Sequence, residues 1–534
     1  MPKKRNVLAA LVLLTAVYTW LPDAARESGW FTCSLFAPTP DGITWSNSNW
    51  QEIAEGSLFI LSAYEDRRFQ PHYVRIMGME SINLSAGKLT CVLWYVGGRR
   101  DVVAATRLRM WVGKNNINQD GHIKHVGYVY SCAVPGERES SPSHVSLTFD
   151  VCEQITNAMK VMPYIPTDRM QNHDHQRDSN DNTAPSSGKI ALCLKPMNFP
   201  TKDIALRLAE WIEIQRLQGV DVIFTYVYDV TDTAMMVLHQ YQQRNIVDFV
   251  IATLPGLLPN DRKNRTAFLR RTDMQMQLIE KIMLNDCFYR HLAYDYVINL
   301  DLDEVIVPRQ HLTWKQMIPE LSDVSKIHDP PTEDDVAYIM QLISEAEKEI
   351  AAAPPKRTFA KIPDRTDYFD KDRESNSTDA TCGRPVDEES QLAPPCASYC
   401  FRQSMFLDEF HQQDHDDIPE YLHVMQHTNR SMYVLDNTQI FLKCLFSSDA
   451  VLVLGNHIAY HVQPGYDDTC HADQKMALIH HYRHNCKLYQ ENRKRECDKT
   501  LNNTIQEDRT LWKYLDPVRQ AVHQMALTLN MNTE

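Results

Sequence analysis

The sequence predicts an α/β chain. A doubly wound, mostly parallel sheet follows a β-rich N-terminal module and an N-terminal signal-anchor helix. Three observations predict this: short alternating apolar runs between residues 55 and 163, strand and helix patterns that alternate after residue 188, and a basic N-terminus running into an apolar segment. At 534 residues the chain exceeds one ordinary core, so two or three domains are expected. With 43% apolar and 23% charged residues it has the composition of a folded protein. A net charge of −14 argues against a nucleic-acid partner, since phosphate neutralisation needs clustered Lys and Arg.

The N-terminus comes first. Lys3-Lys4-Arg5 precedes an apolar run from Val7 to Leu21, ended by Pro22-Asp23. Counted from Asn6 it is about 16 helical residues, roughly 24 Å against a hydrocarbon core of ~30 Å, a span that thin early secretory membranes tolerate. Positive residues before such a segment hold the N-terminus in the cytosol and send the remainder to the lumen. A cleaved signal peptide is the rival, but Pro22 and Asp23 crowd the obvious cleavage positions. Residues 1–26 are therefore expected to be a cytosolic tail and an uncleaved anchor, with a stem and the β-rich module at 27–167.

The cysteines agree with a luminal chain. There are thirteen, and Cys396, Cys400, Cys444, Cys470, Cys486 and Cys497 fall close together near the C-terminus, where they predict stapled loops. A four-cysteine zinc site is the alternative for Cys396 and Cys400, but no second pair at short spacing accompanies them. Asn-x-Ser/Thr sequons start at Asn83, Asn264, Asn376, Asn429 and Asn502 and become acceptors only in a luminal chain.

Within the module, 56–61, 72–76, 89–96 and 126–132 read as strands separated by Gly, Asn and Ser. A polar tract at 168–188 reads as a linker, and 189–534 as the main domain. There, 189–194 is a strand and 202–218 a helix that Thr201 can cap and Gly219 ends. A strand at 220–227 leads to Tyr228-Asp229, followed by a helix at 233–244, a strand at 246–254 and a long helix at 266–290. Repeated βα units of this size imply a parallel sheet that binds ligands at the C-terminal ends of its strands. Residues 320–398 read as a polar insertion with one amphipathic helix at 334–352 and too little apolar surface beyond it to offset ordering entropy. Strands are expected at 439–446 and 450–454, and a helix at 478–489.

The most informative stretch is Asp301-Leu302-Asp303-Glu304, between the apolar runs Val297-Ile298-Asn299-Leu300 and Val305-Ile306-Val307-Pro308. Carboxylates two apart at a strand end can both reach one hard divalent cation, which prefers oxygen ligands and keeps positions open for substrate phosphates. The same spacing at Asp370/Asp372 and Asp414/Asp416 lies in polar surroundings with no strand before it, and reads as solvated turns.

Taken in order, several motifs resemble glycosyltransferase family 92. They are Ala191-Leu192-Cys193-Leu194-Lys195, Glu210-Trp211, Val220-Asp221-Val222 leading to Tyr228, Asn285-Asp286-Cys287, Asp301 to Pro308, Tyr399-Cys400-Phe401-Arg402 and His481-Tyr482-Arg483. The similarity covers roughly 188–490, the insertion excepted. It implies a GT-A fold, an inverting hexosyl transfer and a single-pass type II Golgi membrane protein. Characterised relatives include galactosyltransferases that use UDP-galactose and make β-linked products on N-glycans or polysaccharides.

On this resemblance Asp301 and Asp303 are expected to bind Mn²⁺ or another divalent cation that bridges the phosphates of a UDP-sugar. His481 is the first candidate to complete that site, followed by His457 and His461. Lys195 and Asp229 are placed to meet the nucleotide. Asp286 is expected either at the ribose or holding a nearby Arg, and Arg483 at the diphosphate as a bidentate fork or in a salt bridge. An inverting transfer also needs a carboxylate base. Glu304, Asp408, Glu409, Asp414, Asp416 and Asp417 are the candidates, and Glu304 can instead orient the metal ligands. The expected partners are the donor, a glycan or glycoprotein acceptor and the membrane. Two other readings stay open: a catalytically inactive luminal glycan-binding protein, and a metal-dependent luminal hydrolase.

Overall fold

The computed structural model describes residues 36–84, 87–110, 125–136, 141–165, 188–270, 274–321, 394–410, 415, 417–435, 441–486 and 494–531. The expected anchor, nearly all of the linker, most of the insertion with its helix, and Asp370, Asp372, Asp414 and Asp416 lie outside them. Among the described residues no helix is long and apolar enough to cross a membrane. The chain divides into two compact units, one of Met1–Leu208, Asp221–Asn299 and Leu452–Asn456, the other of Ala209–Val220, Leu300–Val451 and His457–Glu534.

The first unit opens with the expected β-rich module. Its strands are β1 (Gln51–Ala54), β2 (Leu58–Asp66), β3 (Tyr73–Ser81), β4 (Thr90–Trp94), β5 (Arg100–Arg109), β6 (His125–Ala133), β7 (His144–Thr148) and β8 (Met159–Met162). They lie in the order β1-β2-β3-β6-β5-β4-β7-β8, and a further pairing of β2 with β8 closes the sheet on itself. Leu58, Ile60, Ile76, Leu93, Tyr130 and Leu147 fill its core, and the Cys91–Cys132 disulfide lies among them. The edge of β2 opposite β3 is thus covered by β1 over Leu58–Ile60 and by β8 at Ala63 and Tyr64.

The chain continues with β9 (Ile190–Phe199), α1 (Ala205–Leu217), β10 (Val222–Val230), α2 (Asp232–Gln243), β11 (Val247–Ile251), α3 (Arg262–Leu269), α4 (Met274–Arg290) and β12 (Tyr296–Leu300), of which α1 from Ala209 on and the last residue of β12 belong to the second unit. The strand order is β11-β10-β9-β12, and β9, β10 and β11 run parallel. The order reverses between β9 and β12, the kind of switch point where open α/β sheets bind ligands. α1 starts three residues later than expected, because the Asp203 side chain, and not Thr201, accepts the Ala205 N–H at 3.0 Å. Gly219 ends α1 at φ +96° as expected, a conformation an L side chain rarely adopts. The long helix expected at 266–290 is two helices, α3 and α4. β6 lies close on α4 because Gly127 has no Cβ: one would meet Ile282 Cγ1 at 2.7 Å.

A disulfide between Cys193 and Cys287 ties β9 to α4, and His291 packs one turn further on. Its Nδ1–H donates to the Cys287 carbonyl at 2.8 Å, and its ring lies against Phe224 and Tyr294. Burial pushes His291 down from 6.5 to about 4, with Arg290 adding to that and the carbonyl bond opposing it. Between those values the unfolded chain binds a proton that the folded chain refuses, so stability falls as pH drops through this window. The loss attributable to this residue is roughly 3 kcal/mol when complete. Urea unfolding at about pH 7 and about pH 4.5 should show a smaller loss in His291→Leu than in the parent. An equal loss in both proteins would refute this account.

The second unit holds β13 (Glu304–Pro308), α5 (Trp314–Leu321), β14 (Ser398–Phe401), β15 (Gln403–Leu407), α6 (His423–Gln426), β16 (Asn429–Ser431), β17 (Lys443–Ser447), β18 (Val451–Leu454), β19 (Ala459–Val462), β20 (Cys470–His471) and β21 (Ala477–Arg483). Of these, β18 passes into the first unit after Val451. β13, β21 and β15 form a three-stranded sheet with β21 at its centre, and β17, β14 and β20 lie side by side. The helix expected at 478–489 is thus a strand as far as Arg483, and 487–489 lie outside the described residues. Leu478, Ile479, His480, His481 and Tyr482 are all buried, and an apolar run covered on both faces has no period that separates helix from strand. Disulfides join Cys396 to Cys470, Cys400 to Cys444 and Cys486 to Cys497, so the clustered cysteines staple this region and the zinc alternative at Cys396 and Cys400 falls.

Candidate functional site

Asp301-Leu302-Asp303-Glu304 forms the tight turn between β12 and β13. The Glu304 N–H donates to the Asp301 carbonyl at 3.1 Å, and the Glu304 carboxylate accepts the Asp301 N–H at 3.1 Å. That reciprocal pair fixes the backbone and leaves the side chains of Asp301 and Asp303 25% and 35% exposed. Trp211 secures the far side of the turn, its indole N–H donating to the Glu304 carbonyl at 2.8 Å. The sequence signal therefore corresponds to a rigid turn with two outward carboxylates.

The sheet then brings in the histidine. In the antiparallel β13–β21 ladder Glu304 faces His481, and the Tyr482 N–H donates to the Asp303 carbonyl at 2.8 Å. His481 Nε2 stands 3.5 Å from Asp303 Oδ2, while its Nδ1 lies 3.1 Å from the amide oxygen of Gln403. An amide oxygen only accepts, so Nδ1 carries a proton, and Nε2 faces the carboxylate with a second proton or a cation able to lie between them. This is also the arrangement in which a metal-bound imidazole is oriented through its other nitrogen. Asp303 and His481 therefore offer one oxygen and one nitrogen to a divalent ion of the Mn²⁺ type, while Asp301, at the same turn, has its carboxylate 3.5 Å from the Lys443 ammonium.

Charge around the turn follows from burial and pairing. Burial alone would raise Asp303, but the attraction and hydrogen bond of His481, with the Arg483 guanidinium adding to them, hold it below the usual carboxylate range. Glu304 is 3% exposed, and burial raises it, with Asp301 and Asp303 pushing the same way and Lys443 opposing. The Lys443 ammonium, itself 1% exposed, lies 3.2 Å from Glu304 and 3.5 Å from Asp301. Of the two roles open to Glu304, this geometry matches orientation of the turn, because an acceptor hydroxyl needs a base it can reach.

The other expected residues have their own settings. Arg483 ends β21 and is felt at Asp303 through its charge. His457 donates from Nδ1 to the Leu442 carbonyl at 2.8 Å, and His461 lies on β19. In the first unit Lys195 pairs with Glu280 at 3.3 Å, and Asp229 with Arg262 at 2.8 Å and Arg265 at 3.4 Å. Asp408 is half-buried, whereas Glu409 and Asp417 are exposed.

Asp286 is fully buried in the first unit and accepts from Ser62, from Tyr64 at 2.8 Å and from Tyr226 at 2.5 Å, with Arg290 3.4 Å away. Of the two expectations for this residue, holding an Arg is the one its contacts match. Burial, reinforced by Asp286, keeps both tyrosines protonated well above their usual range. Asp286→Asn should lower stability by about 1.5–3 kcal/mol, the worth of hydrogen bonds to a charged group, with donor KM unchanged. A raised KM at unchanged melting temperature would instead put Asp286 at the ligand.

Sequence reasoning missed Lys443 and Gln403. A single Lys inside Ile440-Phe441-Leu442-Lys443-Cys444-Leu445-Phe446 is itself a signal, since a lysine is almost never fully buried without a carboxylate partner. Nothing in Arg402-Gln403-Ser404 marks Gln403, whose role comes from the parallel pairing of β15 with β21.

In comparison with known proteins, glycosyltransferase family 92 matches residues 188–350 and 386–521, more than half of the chain. The break in the match falls inside the polar insertion. Among solved structures, a purple acid phosphatase from seeds of yellow lupin (Lupinus luteus) is similar at 11% identity, over 41% of this chain and 42% of that one, with a TM-score of 0.16. The chain thus spans less than half of that protein, and a likeness of this size carries no argument. No curated protein matches.

Proposed function

Since the chain belongs to glycosyltransferase family 92, and so to a family of transferases with nucleotide-sugar donors and glycan acceptors, we propose that it is a metal-dependent, inverting hexosyltransferase of GT-A type. On this reading it moves galactose from UDP-galactose onto a glycan in the Golgi, held in the membrane by the segment within residues 1–26. The observation that carries the reading is the approach of His481 Nε2 to the Asp303 carboxylate at the turn that also presents Asp301. The basic-then-apolar N-terminus and the five disulfides found among the described residues support the luminal placement.

A bound Mn²⁺ supplies Lewis-acid stabilisation of the leaving diphosphate. Asp301, Asp303 and His481 would hold it. Gln403 fixes the His481 tautomer, and Lys443 and Glu304 hold the turn against the charge gathered there. Arg483 is suited to a bidentate contact with the diphosphate.

The test is a donor panel with the full-length protein, following UDP release from several UDP-sugars with glycan acceptors. UDP-galactose should be the donor, and the product should be β-linked by NMR. Release of free sugar without acceptor would favour the hydrolase reading. Absence of both turnover and nucleotide binding would favour the inactive glycan-binding one.

A further inference from the structure

A second group of metal-ligating side chains lies in the same unit, apart from the residues assigned above. Asp408, His423 and His427 each offer a ligand atom, and these atoms lie within 4.8 Å of one another. Backbone pairing sets where they stand. Asp408 directly follows β15 and His484 directly follows β21; the parallel register pairs Leu407 with Arg483, so these two residues leave the sheet side by side. His484 Nδ1 is 3.0 Å from Asp408 Oδ2. His423 and His427 are one helical turn apart, at the start and just past the end of α6, with ring centroids 4.2 Å apart. The fully buried Glu210 carboxylate anchors that turn, accepting the N–H groups of Val424 and Met425 at 3.0 Å each.

The protonation pattern is informative. His427 Nδ1 lies 2.7 Å from the His423 carbonyl, which only accepts, so Nδ1 carries the proton. The other nitrogen, Nε2, then faces Asp408 Oδ1 at 3.1 Å. In a neutral ring this sets a lone pair against a carboxylate oxygen, an arrangement that a cation between them relieves. A ligating imidazole whose second N–H is fixed by a backbone carbonyl is also the common orientation at zinc.

We propose that Asp408, His423 and His427 form a second metal site, for Zn²⁺, with the exposed His484 beside Asp408 able to turn in as the fourth ligand. Three imidazoles and one carboxylate suit this borderline ion, and four protein ligands are the mark of a structural site. Tetrahedral bonds of about 2.0–2.1 Å put ligand atoms about 3.4 Å apart, so Asp408, His423 and His427, with ligand atoms within 4.8 Å of one another, need only small side-chain movements to close on an ion. The ion would clamp α6 to the ends of β15 and β21. It would also occupy Asp408, removing that carboxylate from the candidates for acceptor activation.

The test uses metal-free, full-length protein carrying D301N/D303N, so that the first site does not contribute. Calorimetry with Zn²⁺ alone should show one ion per chain, and adding H423A/H427A should weaken binding by a factor of about 100 or more. No Zn²⁺ binding in the D301N/D303N protein, or unchanged binding after H423A/H427A, would overturn the site and leave a protonated His427–Asp408 pair. Should the histidine variants fail to fold, Co²⁺ added to the D301N/D303N protein decides alone: intense tetrahedral d–d absorption supports the site, and its absence overturns it. The outcome is independent of whether the chain transfers sugar.

Discussion

Asp303→Ala, alone or with Asp301→Ala, should lower metal-dependent UDP release by roughly 10³-fold or more while the protein stays folded. The two carboxylates are 35% and 25% exposed and stand outside the packed core, so their loss costs little stability. Their contribution is to the ion that offsets charge on the departing diphosphate, a matter of several kcal/mol in the transition state. At 1.36 kcal/mol per tenfold, about 4 kcal/mol corresponds to the stated factor. Initial rates of UDP release at saturating donor, with a thermal unfolding profile beside them, check the result. A rate within about tenfold of the parent would remove the turn from the chemistry.

Lys443→Met should have the opposite signature, a large loss of stability. This ammonium is 1% exposed and is paired with Glu304, which is 3% exposed, and with Asp301. Removing it leaves a buried carboxylate without its counter-charge, a change that costs about 3–5 kcal/mol when one partner of a buried pair is deleted. Because Glu304 already titrates above its ordinary value and loses the opposing Lys443 charge, the folded variant holds the Glu304 proton more tightly than the unfolded chain does. Stability from that proton is present at low pH and is lost as pH rises through the folded value. The deficit of Lys443→Met should therefore shrink on acidification, and adding Glu304→Gln should restore part of it. Urea unfolding of the single and double variants measures both effects. Additive losses would show that the two side chains do not act as a pair.

Much of this was legible in the residues. The alternation after residue 188 yields parallel β9, β10 and β11 with β12 beside β9, because each strand is a short apolar run and α1 carries its stop at Gly219. Asp301 and Asp303 stand out because an Asp-x-Asp pair directly after a buried strand is aimed outward by the strand's end. What stayed hidden depends on pairing between distant segments. His480-His481-Tyr482 reads as helix until β13 and β15 are seen to flank it, and only the ladder opposite Glu304 shows which histidine meets the carboxylates. Lys443 arrives on β17 from far along the chain. Asp286 looks like a ligand residue by its motif, yet Ser62, Tyr64 and Tyr226 enclose it. Asp408, His423 and His427 are spread over twenty residues, and nothing in their spacing predicts that their ligand atoms meet.

The central claim is that Asp301 and Asp303 hold a divalent ion to which a nucleotide diphosphate binds. Calorimetric titration of UDP into the full-length protein, with Mn²⁺ or with EDTA and repeated on D301A/D303A, tests it most directly. The account predicts that UDP binds the parent only when Mn²⁺ is present and that the variant does not bind in either buffer. Equal UDP binding in EDTA, or Mn²⁺-dependent binding that survives in the variant, would contradict it.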